Sequence, residues 1–186
     1  MTDPRMTADE RARVAGLLRQ TRDDFLVTAG SVTDIQWNFR PGRDRWSIGL
    51  IAEHLGLVER GLFSRVEHAL EGAVNPGWES VLEKNVLIEQ MLQDRGTPRD
   101  APERVVPTGT VGREEVLVIF REHRVRSLAF AETTAAQLKT HTLDHHRPVF
   151  GTLNAFQWLL YIPLHNQRHI EQIVEIQAAP DYPSGN

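Results

Sequence analysis

Residues 153–173, LNAFQWLLYIPLHNQRHIEQI, carry the reading that decides the fold. They begin a long amphipathic helix running from Leu153 to about Gln177, a length that suits a bundle helix and exceeds an ordinary strand. Inside it His165 and His169 stand four residues apart. On a helix that spacing sets them about 40° apart around the axis and about 6 Å apart along it, on one face. Two imidazoles so placed can grip one ion. The plainer alternative is a pair of solvated or core histidines, because HxxxH without an intervening glutamate is a weak pattern and two nitrogens need a third ligand. Pro163 removes a backbone donor and predicts a kink or a loosened Leu159 carbonyl.

Three more helices read outward from this one. Thr7-Ala8-Asp9-Glu10 is a capping box, and Val14, Leu17, Leu18, Thr21, Phe25 and Leu26 recur at helical steps as far as Gly30, giving a first helix over about 7–29. A polar linker with Pro41 and Gly42 follows. Ser47 then stands as an N-cap, and the stripe from Ile48 through Leu55 and Leu62 to Leu70 gives a second helix over about 47–71. The next connection takes some forty residues, Gly72 to Gly112. It holds a short amphipathic piece, Trp78 to Gln93, and a loop punctuated by Pro98, Pro102 and Pro107, and its length permits a crossover along the molecule. A third helix is expected over 113–138, then the polar loop TLDHHRPVFG (142–151). With no convincing alternating strand, the four stripes can be buried only against each other, which makes an all-α four-helix bundle.

The chain has 186 residues, 40% of them apolar and 25% charged. That is the make-up of a globular protein of one domain, residues 1–186. No uninterrupted apolar run approaches the roughly 18 residues of a spanning helix, so no membrane role is expected. Cysteine is absent, which removes disulfides, thiolate zinc sites, iron–sulfur clusters and cysteine nucleophiles together, and any metal must be held by nitrogen or oxygen. A formal net charge of −4 offers no basic face for a phosphate backbone, and nucleic acid is not an expected partner. The opening MTDPRMTADER lacks the apolar stretch of a secretory signal, and the expected location is the cytoplasm. No G-x-S-x-G elbow or phosphate-cradling glycine loop is present.

A third imidazole is available on the second helix. His54 lies on the flank of its apolar stripe, beside Ile51 and Val58, where it can point between helices; alone it reads equally as a partly buried structural histidine. Three imidazoles from two helices would make an open site that leaves a position for water or substrate, and such ligation suits zinc, nickel, iron or copper. His123, near the inward face of the third helix, is a candidate fourth ligand or pocket base, or simply a helix-flank histidine. His141, His145 and His146 fall in a polar loop where solvation is the simple account, and His68 reads as surface. Glu53, Glu59, Glu171 and Gln172 are candidates to orient ligand imidazoles, and Arg168 to meet an anionic substrate.

WSIGLIAEHL (46–55) and the 153–173 segment together resemble the DinB/YfiT-like family of metal-binding four-helix proteins. In that pattern a tryptophan and a small hydroxyl open the second helix, a histidine–leucine pair follows, and H-x-x-x-H precedes Q-I on the fourth. Here these are Trp46, Ser47, His54-Leu55, His165, His169 and Gln172-Ile173. APERVVPTG (101–109), HHRPVFG (145–151) and Pro183 extend the resemblance over nearly the whole chain. It implies an up-down-down-up bundle with a long crossover between the second and third helices. It also implies a divalent ion, zinc or nickel first, on His54, His165 and His169, and a homodimer. Trp46, Gln172 and Arg168 are candidates to line or support that site. Characterised relatives include thiol-dependent transferases and isomerases, so the expected function is a thiol S-transferase that joins a low-molecular-weight thiol to a small-molecule substrate. The alternatives are hydrolysis by metal-activated water, with His123 or Glu59 handling protons, and a metal-bearing bundle that does not turn over.

Overall fold

The structure, a computed structural model, describes residues 2–96 and 100–185. Pro98, one of the prolines assigned to the crossover, lies outside them. Four long helices form the body: α1 (Ala8–Gly30), α3 (Ile48–Glu71), α5 (Arg113–Thr133) and α6 (Ala155–Gln177). Two shorter ones, α2 (Asp34–Asn38) and α4 (Lys84–Gln93), sit in the connections. Side chains set the starts, because the first amides of a helix have no partner within it. Thr7 Oγ1 accepts from Glu10 N while a Glu10 carboxylate oxygen accepts from Thr7 N. Ser47 Oγ accepts from Leu50 N, and Asn154 and Gln157 close a further capping box. α6 then continues through Pro163 as one helix.

Contacts at the helix ends fix the directions. Arg11, in the first turns of α1, donates to Ala131 O and Thr134 O at the end of α5, and Arg113 at the start of α5 donates to Gly30 O, so these two helices are antiparallel. Gln177 Nε2 donates to Thr28 O, placing the C-terminal ends of α1 and α6 together. α3 runs with α5, since Glu59 meets Arg124 and Phe63 meets Phe130. It therefore runs against α6. The bundle is up-down-down-up, with α1 and α3 each packed on both α5 and α6. Its interior has two apolar clusters: one around Val14, Leu18, Leu62, Val66, Trp158 and Leu159, the other around Phe25, Ile51, Leu55, Phe120 and Ile173.

Three local expectations change. α5 ends at Thr133 instead of near Leu138, because Arg11 takes its last carbonyls and Thr134 turns extended. The linker after α1 holds α2, announced by Thr33 and Gln36 in a capping box that the sequence does display. Trp37 from α2 lies so close to Gly49 that any β-carbon there would overlap its indole nitrogen. The loop before α6 contains a two-stranded antiparallel hairpin, β1 (Thr142–Asp144) with β2 (Thr152–Asn154), paired Leu143 to Leu153. Three-residue strands are too short to show alternation. Gly151, at φ 55°, takes the left-handed turn into β2, and Lys84 Nζ bonds Phe150 O and Thr152 O, tying this loop to α4.

Candidate metal centre

Because α3 and α6 are antiparallel, the second turn of α3 faces the later half of α6. His54 there meets His165 and His169, and one ligand nitrogen from each of the three lies within 4.8 Å of the others. His54 Nδ1 donates to Val105 O at 2.7 Å, and His169 Nδ1 to Gln172 Oε1 at 2.9 Å. A carbonyl oxygen only accepts, so both Nδ1 atoms carry the proton and both Nε2 atoms present a lone pair. His165 Nε2 sits 3.2 Å from His169 Nε2, and His165 Nδ1 is buried without a partner among the described residues.

This donor set fits a divalent cation. At 3.2 Å His165 Nε2 can donate to His169 Nε2 in the metal-free form, and two nitrogens on a tetrahedral zinc sit about 3.3 Å apart, so the same spacing suits a shared cation. Burial is the first cause that lowers all three imidazoles below the ordinary 6.5. It moves His54 down against the opposing Val105 bond, holds His165 well below with His169, His54 and Arg168 adding to it, and takes His169 to about 3 with His54 adding. Neutral imidazole is the form that ligates metal. Because Gln172 fixes the His169 tautomer, Gln172→Leu is expected to weaken zinc binding about 10–100-fold without unfolding the protein, read by competition with a chromophoric chelator.

A cavity of about 470 Å³ opens beside the cluster, between α3, α6, the crossover around residues 100–105 and the hairpin loop. Trp46, Val58, Leu62, Leu92, Trp158 and Tyr161 supply its apolar walls. The Trp46 ring lies 4.8 Å from that of His54 and 6.5 Å from that of His169. This size and lining suit a small organic molecule.

Several sequence candidates lie elsewhere. Glu59 follows His54 by five residues, about 140° around the helix, and points to the other side of α3. Fully buried there, it takes Arg124 Nε and Nη2 at 2.8 and 2.9 Å and Ser127 Oγ at 2.6 Å. There it forms an ion pair with Arg124 and does not line the cavity. His123 is half-buried beside that pair and does not line the cavity. Glu53 accepts from Thr108 N, Thr108 Oγ1 and Gly109 N, anchoring the crossover loop. Glu171 accepts from Gln167 Nε2. Arg168 does line the cavity, but its guanidinium donates to Leu92 O and Asp94 O at the end of α4.

His145 departs most from expectation. It is buried instead of solvated, its ring stacked 5.0 Å from Trp158 and 5.6 Å from Tyr161, with Nδ1 accepting from Arg147 N. Burial first, then the charges of His146, Arg147 and Arg65, push it down to about 4. The folded state thus resists protonation that the unfolded chain accepts near 6.5, so this contribution to stability is complete above about 6.5 and is lost as pH falls toward about 4. His145→Phe is expected to flatten the acid side of the stability curve by up to about 1.4 kcal/mol per pH unit, measured by urea unfolding of metal-free protein. His141 is also held, by Gly72 O, while His68 is exposed as expected.

These observations define a four-helix bundle with an open three-imidazole cluster between its second and fourth long helices. The chain belongs to the DinB superfamily, whose model matches residues 17–173. It is 24% identical over 151 residues to the uncharacterized protein YuaE of Bacillus subtilis (strain 168), covering 78% of this chain and 86% of that one. Among solved structures it is similar to YfiT from Bacillus subtilis, with a TM-score of 0.57 and 14% identity over 96% of this chain and 91% of that one. YfiT is described as a probable metal-dependent hydrolase with an unusual four-helix bundle topology. No helix among the described residues is long and apolar enough to cross a membrane.

Proposed function

We propose that this protein is a metal-dependent enzyme in which His54, His165 and His169 hold one divalent cation, zinc or nickel, and that it transfers a low-molecular-weight thiol to a small electrophile bound in the adjoining cavity. The observation that carries the proposal is the convergence of three imidazoles at a cavity, with no fourth protein ligand joining them among the described residues. A purely structural zinc site closes its sphere with protein. When bound, the cation supplies Lewis acidity that lowers the pKa of a coordinated thiol or water.

The chain's own residues hold and shield. Val105 O and Gln172 Oε1 orient two of the rings, and Trp46, Trp158 and Tyr161 keep the reacting atoms out of bulk water. In the transfer a carbon–sulfur bond forms as the carbon–leaving-group bond breaks. The thiol proton passes to water, and the leaving group departs with its electron pair. This route needs no protein nucleophile and no protein base, in keeping with Glu59 and His123 lying outside the cavity.

YfiT's description favours a second reading, hydrolysis by metal-activated water whose proton likewise passes to solvent. The test is an assay of zinc- and nickel-loaded protein with glutathione, bacillithiol or mycothiol and 1-chloro-2,4-dinitrobenzene, beside a panel of esters and amides without thiol. Thiol-dependent conjugation that disappears in His165→Ala supports the transferase. Background rates with all three thiols, together with ester or amide cleavage, replace it with the hydrolase.

A further inference from the structure

We infer that the cavity is built for an organic acid, whose anionic group is held at the rim by Arg65, Arg104 and Arg147 while its apolar body lies on Trp158 and Tyr161. This deepens the proposed function, resting on the cavity as the substrate chamber. The three arginines come from separate elements: α3, the short turn Glu103–Val105, and the loop after β1. All three line the cavity, and all three act on His146, whose imidazole is lowered first by burial and then by Arg104, Arg147 and Arg65. All three thus border one cavity from three different elements.

Their charge is only partly offset there. Arg13, Arg19 and Arg126 elsewhere on the surface each face a carboxylate, whereas Arg65 and Arg104 have no ion pair among the described residues. Arg147 donates to the backbone oxygen of Asp100 at 2.6 Å, and Asp100 supplies the sole carboxylate among the described residues lining the cavity. In a chain of net charge −4, three guanidiniums therefore line one cavity with a single described carboxylate beside them. An incoming carboxylate or phosphate offsets the remaining charge with charge-assisted hydrogen bonds.

From rim to metal cluster the rings step from His145 to Tyr161, 5.6 Å, and from Tyr161 to His165, 6.2 Å. An aromatic wall, on which a flat apolar body can lie, thus runs toward the metal cluster.

The experiment compares two fluorescent probes of the same aromatic skeleton on protein stripped of metal by chelator. One is the anionic 8-anilino-1-naphthalenesulfonate, the other the neutral N-phenyl-1-naphthylamine. The anionic probe is expected to bind about tenfold tighter, with the gap closing at high salt. The gap also closes in Arg65→Gln/Arg104→Gln, while the neutral probe is unaffected. Neither arginine has an ion pair or side-chain hydrogen bond among the described residues to lose, and circular dichroism melting verifies the fold. Equal affinities in the wild type, or a gap that survives both high salt and the double substitution, overturn the inference. Stripped protein keeps the two readings apart, since a failure to take up metal ends the proposed chemistry and leaves the probe comparison standing.

Discussion

Alanine in place of His165 is expected to abolish the stabilisation that added zinc or nickel confers. Wild-type protein with free metal at about a thousand times its dissociation constant gains about 4 kcal/mol. With only His54 and His169 left, the gain falls below about 1 kcal/mol. In metal-free protein the substitution costs only the packing of the ring and its 3.2 Å hydrogen bond with His169 Nε2. This contrast separates a ligand from a packing residue, whose loss would cost the same with and without metal. Denaturant unfolding after chelator treatment, repeated with metal, reads both numbers. Equal metal-induced shifts in the two proteins contradict the assignment.

The second large effect is structural. Arg124 and Glu59 are both fully buried, and their bidentate pair is completed by Leu18 O, Thr21 Oγ1 and Ser127 Oγ, joining α1, α3 and α5. Arg124→Met leaves a carboxylate in the core without its counter-charge, and breaking a buried pair from one side costs about 3–5 kcal/mol. Arg124→Met combined with Glu59→Leu is expected to recover most of that loss, since apolar replacements of a whole buried pair are often neutral. Urea unfolding of the three proteins checks it. A loss below about 1 kcal/mol in the single variant would show that the pair does not hold these helices together.

The four helices were legible because long stripes, a capping box at Thr7 and an N-cap at Ser47 are local signals, and the i, i+4 spacing of His165 and His169 is local too. His54 was legible from its flank position and from the family pattern. What failed was tertiary. The burial of Arg124 against Glu59 joins residues 65 apart, and no spacing rule marks it. Glu59 reads as a cavity acid only if one overlooks the 140° between it and His54 around α3. His145 sits in a polar stretch, and its stacking on Trp158 depends on a hairpin whose strands are too short to show a period. The arginine lining was equally hidden, since Arg65, Arg104 and Arg147 border one cavity only once the crossover and the hairpin loop fold over it.

The whole functional account depends on three imidazoles sharing one cation. Elemental analysis of purified protein beside His54→Ala and His145→Phe variants tests it most directly. The account predicts about one zinc or nickel per chain in the wild type and in His145→Phe, and a large loss in His54→Ala. No metal bound by folded wild-type protein after incubation with either ion, or equal content in His54→Ala, would contradict it.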